Sequence, residues 1–127
     1  MTQQSGLTLA YLGDAYYELQ IRTHLIQKGY TKVNDLHKMA IAFTSATGQA
    51  KTIYKLLDDF LSEEEIAVYK RGRNATSTHK PKNADLEQYR QATGFEALIG
   101  FLLLEEKIER LNQIILKSIS IIEELPE

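Results

Sequence analysis

The sequence predicts an all-α domain of about six helices, and three observations carry that prediction. Apolar residues recur at spacings of three and four along most of the 127 residues, the period of a single helix face. No two segments alternate apolar and polar residues across a tight turn, as a pair of strands would. Ser62 followed three residues later by Glu65 has the pattern of a capping box, in which each side chain satisfies a backbone amide of the first turn.

Taken in order, the first helix is predicted from Leu7 to Lys28, where Gly29 closes it. The second runs from Val33 to about Ala42 and the third from Ser45 to Phe60, both on apolar spacing. The fourth starts at Glu63, behind the capping box, and ends at about Arg71. The segment Arg71 to Asn83, "RGRNATSTHKPKN", is the one long break, its Gly, Asn, Ser, Thr and Pro supplying turn chemistry. A loop of that length in a compact domain is often functional. The fifth helix is predicted from Ala84 to Glu106. The sixth, from Ile108 to Glu124, carries Ile108, Leu111, Ile115, Ile119 and Ile122 as one apolar stripe, which reads as packing.

The length suits one domain, taken as residues 1–127. With 43% hydrophobic and 25% charged residues and only two prolines, the composition is that of an ordinary globular chain. The sequence has no cysteine, which excludes disulfides, thiolate nucleophiles and cysteine-ligated zinc and suits a reducing compartment. The polar start "MTQQSG" lacks the pattern of a secretory signal, and the longest nearly apolar run, Ala92 to Leu104, is too short to span a bilayer. A cytoplasmic protein with no membrane partner is expected.

Two carboxylates stand where the pattern resists them. In "LTLAYLGDAYYE" the apolar helix is interrupted by Gly13 and Asp14. A glycine inside a helix costs about 1 kcal/mol relative to alanine, and a carboxylate facing a core costs several more unless something meets it. In "ATGFEALIGFLLL" Glu96 is the sole ionisable residue among thirteen. Two such sites in one small domain are expected to meet, with a divalent cation offsetting their repulsion. Oxygen ligands favour magnesium or manganese over zinc. The alternative is a pair of acids satisfied by backbone or hydroxyl donors, and composition and spacing leave both open. Glu18 is expected simply to pair with Arg22, four residues on.

Charge is distributed unevenly. The net charge of −2 excludes a uniformly basic surface, but between Ile66 and Ala84 stand Lys70, Arg71, Arg73, Lys80 and Lys82 with no acid among them. With Asn74, Thr76, Ser77 and Thr78 as neutral donors, the segment suits phosphate oxygens, and a nucleic-acid backbone is the expected partner. Cations at the end of the fourth helix would also complement its dipole, which accounts for the first two or three charges but not for Lys80 and Lys82. His24, His37 and His79 show no metal-ligand spacing. Tyr89 and Arg90 are candidates to line the same cleft as Glu96.

"LAYLGDA" and "FEALIGFLLL" resemble the two signature segments of the ribonuclease III endonuclease domain, in matching order and separation. The short chain and "YKRGRNATSTHKPKN" resemble the bacterial Mini-ribonuclease III family, over nearly the whole sequence. The resemblance implies an all-helical two-fold homodimer. It further implies a magnesium-dependent endonuclease, with manganese able to substitute, that leaves 5′-phosphate and 3′-hydroxyl ends on double-stranded RNA. Its substrate would be precursor 23S ribosomal RNA, with room for a ribosomal-protein partner. Asp14 falls on the family's catalytic aspartate and Glu96 on its metal-binding glutamate. Full-length ribonuclease III carries further acids where Leu7, Ala10 and Thr93 stand here, a sparseness that Mini-ribonuclease III shares. A catalytically silent RNA-binding domain would be favoured had either carboxylate been lost. A helical protein-interaction module would explain the apolar stripes but neither the embedded acids nor the basic segment.

Overall fold

The computed structural model describes residues 4–75 and 85–125. Among them are six helices and no strand, as the sequence predicts: α1 Gly6–Gln27, α2 Val33–Thr44, α3 Ala46–Leu57, α4 Glu63–Asn74, α5 Leu86–Leu104 and α6 Ile108–Glu123. None is long and apolar enough to cross a membrane.

The arrangement follows from α5, whose residues Ala92, Gly94, Phe95, Ala97, Leu98, Ile99, Gly100 and Leu102 are all buried. A helix apolar on nearly every side has to be surrounded. Helices α1, α3 and α4 pack along it, and α6 packs against α3 and α5. The core centres on Tyr17, Ile21, Ile53, Leu56, Phe95, Leu98, Ile99, Leu111 and Ile114. Phe95 meets Tyr17 edge-on, with ring centroids 4.9 Å apart.

The closest approach is between α1 and α5. A Cβ at Gly13 would lie 1.8 Å from the Glu96 carbonyl oxygen, and one at Gly100 would lie 2.0 Å from that of Leu9. The two helices therefore touch main chain to main chain. The glycine that seemed a liability in α1 is what admits another backbone, and it brings position 14 beside position 96.

Element boundaries depart from expectation in two instructive places. Helix α3 stops at Leu57 rather than Phe60, and Asp59 then takes a left-handed conformation (φ 94°). Helix α4 continues to Asn74 because Gly72 is a packing residue and not a breaker. A Cβ there would meet that of Ala97 at 2.5 Å. Arg71, Arg73 and Asn74 accordingly lie on the last turn of α4 and not in a loop. The Ser62 capping box is present, with Ser62 Oγ accepting from the Glu65 amide at 3.2 Å and Glu65 Oε1 accepting from the Ser62 amide at 2.8 Å. The buried face of α6 is also turned from the expected stripe. Leu111, Ile115 and Ile119 are buried, but Ile114, Ser118 and Ile121 join them while Ile108 is exposed.

Candidate functional site

The α1–α5 contact sets Asp14 and Glu96 side by side, as the sequence leads one to expect. The Asp14 carboxyl comes within hydrogen-bonding reach of Glu96. Their surroundings differ, however. Asp14 is exposed, contrary to the expectation that it faces a core, whereas Glu96 is half-buried. Burial, and then the neighbouring Asp14 carboxyl, push Glu96 up from the ordinary carboxylate range to about 9.

A third side chain completes the arrangement. Gln49 on α3 is 1% exposed, and its Nε2 donates to Glu96 Oε2 at 3.3 Å and to the Thr44 carbonyl at 3.2 Å. Nothing in the pattern of acids and bases points to it. The signal that could have found it is its register: Gln49, Thr52, Ile53 and Leu56 share the buried face of α3, and a glutamine there must be satisfied.

Other expected participants are placed elsewhere. Glu18 pairs with Arg22 at 3.6 Å, as expected. No hydrogen bond or ion pair among the described residues joins Tyr89 or Arg90 to Asp14 or Glu96, and the Tyr89 carbonyl instead accepts the Thr93 hydroxyl at 3.0 Å. Thr93 and Ala10 are buried and Leu7 is exposed, so the positions where full-length ribonuclease III has acids hold no charge here. No group of three or more histidines or acids able to hold a metal occurs among the described residues.

The basic residues divide. Lys70 is exposed. Arg71 is half-buried and donates to the Gln4 carbonyl, tying α4 to the start of α1. Arg73 lies over the Tyr69 ring, 5.6 Å from its centroid, and donates to Asn74 Oδ1 at 3.1 Å. Lys80 and Lys82, with Thr76, Ser77 and Thr78, lie outside the described residues.

The family profile described as Ribonuclease III domain matches residues 7–107, which include both carboxylates, all but the first residue of α1 and all of α2 to α5. Over 114 residues the chain is 51% identical to the Mini-ribonuclease 3 of Enterococcus faecalis, covering 89% of this chain and 86% of that one. The chain belongs to the Mini-ribonuclease III family. Identity to the Mini-ribonuclease 3 of Streptococcus pneumoniae is 48% over 112 residues, 87% of this chain and 88% of that one. A crystal structure of a Fusobacterium nucleatum protein superposes with a TM-score of 0.82 at 37% identity, covering 97% of this chain and 96% of that one. As a Mini-ribonuclease III, the chain is an endoribonuclease of the ribonuclease III type.

Proposed function

We propose that the chain is a magnesium-dependent endoribonuclease, with manganese able to substitute, that cuts double-stranded RNA and matures the ends of precursor 23S ribosomal RNA in the bacterial cytoplasm. The observation that carries this reading is the meeting of Asp14 and Glu96 where two helix backbones touch. The donor set fits the ion: two hard carboxylate oxygens, one on an exposed residue and one half-buried, with the remaining coordination left to water and phosphate. When bound, the cation supplies a water of lowered pKa for in-line attack and offsets charge developing on the phosphate. Asp14, being exposed, presents its carboxylate to the approaching backbone. Half-buried Glu96 and buried Gln49 lie behind it. By resemblance, the products carry 5′-phosphate and 3′-hydroxyl ends, and a ribosomal protein that presents the RNA is a compatible partner. The deciding experiment is incubation of purified protein with long duplex RNA, with and without magnesium. Absence of cutting, or equal cutting in the presence of a chelator, would overturn the reading.

The working unit in this proposal is a two-fold homodimer, because each chain offers one site and a duplex has two antiparallel strands. Helix α1, which carries Asp14, also exposes Leu7 (41%), Tyr11 (84%) and Leu19 (58%), four or eight residues apart on one face with Ala15 between them. A second copy of the chain is the occupant this apolar stripe fits. Tyr11→Glu combined with Leu19→Glu is expected to yield a folded monomer by light scattering. A variant that remains a stable dimer would remove α1 from the interface.

Lys70, Arg73, Asn74, Lys80 and Lys82 are proposed to meet phosphates, and Arg71 to hold α4 against α1 as it supports them. Recognition of A-form RNA by shape and phosphate leaves little base readout. Replacing Lys80 and Lys82 by alanine is expected to weaken binding to all duplexes alike. The slope of log affinity against log salt should fall by about one unit per lost contact, measured with calcium in place of magnesium. An unchanged slope would confine phosphate contact to α4.

A further inference from the structure

We infer that Gln49 is a positioning residue that holds the Glu96 carboxylate toward Asp14, its amide strung between the α2–α3 corner and the site. The inference rests on the reading of Asp14 and Glu96 as cation ligands. The Thr44 carbonyl can only accept, so the amino end of Gln49 must face it, and Glu96 Oε2 shares that same nitrogen.

The anchor is rigid. Ser45 ends α2 and caps α3 at once, its amide donating to the Ile41 carbonyl at 3.0 Å and its hydroxyl accepting from the Gly48 amide at 3.0 Å. One helix turn on, Thr52 Oγ1 donates to the Gly48 carbonyl at 2.9 Å. A glutamine anchored at this corner can orient the Glu96 carboxylate.

The other end of the amide sharpens the point. Gln49 Oε1 is buried and has no hydrogen-bond partner among the described residues. A buried acceptor left open is destabilising, and leucine or methionine would fill the same space without that cost. Groups that orient metal ligands in this way typically govern metal affinity about 10- to 100-fold.

The test uses the full-length protein and manganese alone as the probe, with free Mn2+ followed by electron paramagnetic resonance and the melting temperature taken without metal. Gln49→Met is expected to raise the Mn2+ dissociation constant about 10-fold, with the melting temperature of the metal-free protein unchanged or raised. A lowered melting temperature with wild-type Mn2+ affinity would make Gln49 a packing residue and overturn the inference. Should Gln49→Met fail to fold, Gln49→Asn keeps the amide but is one methylene too short to reach both Thr44 and Glu96. It is expected to lose the same affinity, and wild-type affinity in that variant also overturns the inference. Asp14→Asn separates the two readings. Mn2+ binding that is lost in Asp14→Asn but intact in the Gln49 variants defeats the tether alone. A wild-type protein that binds no Mn2+ defeats the cation site and the tether with it.

Discussion

Asp14→Asn and Glu96→Gln are each expected to lower RNA cleavage by more than about 100-fold, while duplex binding measured in calcium stays near wild type. Each substitution keeps the size of the side chain and removes a charge that the proposed cation requires. The two should differ in stability. Glu96 is held up at about 9 in the folded protein by burial and by Asp14, and it reverts to an ordinary carboxylic acid on unfolding. An acid whose folded pKa is raised contributes stability that is complete below the unfolded value and drains away as pH rises towards the folded one. Glu96→Gln is free of that loss. Its melting temperature, measured without metal, should therefore exceed that of wild type by an amount that grows from about pH 5 to about pH 9 and then levels off. A constant difference across that range would show that Glu96 is not perturbed. A folded Asp14→Asn protein that cuts at the wild-type rate would remove Asp14 from the chemistry.

Gly13→Ala is expected to lower the melting temperature by about 10 °C and to cut activity about 100-fold in the protein that still folds. In an exposed helix the same change would gain about 1 kcal/mol. Here the new Cβ would lie 1.8 Å from the Glu96 carbonyl oxygen, where ordinary contact begins at 3.4 Å, so α1 and α5 must part by about 1.5 Å. Forced separation of packed elements typically costs about 1–3 kcal/mol and sometimes more. It also carries Asp14 away from Glu96. Scanning calorimetry and single-turnover cleavage measure the two effects. An alanine variant as stable as wild type would mean that the helices do not cross in contact.

Much of this was legible in the residues. The six helices follow from apolar spacing and caps, and Asp14 and Glu96 announce themselves as charges in runs that otherwise want burial. Gly72 misled because a glycine among cations reads as a breaker, when it is the neighbour Ala97 on α5 that requires it. Gln49 was easy to pass over because glutamine is an ordinary helix former, and only its register on the buried face of α3 marks it. Its meaning depends on a corner, Thr44 to Ser45, that brings distant parts of the chain together. The exposure of Asp14 was equally hidden, since spacing along α1 locates a residue on a face but not how much of that face its neighbours cover.

The main-chain contact at Gly13 and Gly100 has a thermodynamic side. Where helices are held apart by long side chains, two carboxylates on facing helices can drift as rotamers change, and binding a cation must first freeze that motion. Here the separation of the Cα atoms of Asp14 and Glu96 is fixed by hard contact between backbones, which have no rotamers to change. A cation at the proposed site would then have only the two side chains to order, and not the helices that carry them. The proposed site, with only two carboxylates, can therefore bind more tightly than its small ligand count suggests, because its backbone scaffold was ordered when the protein folded.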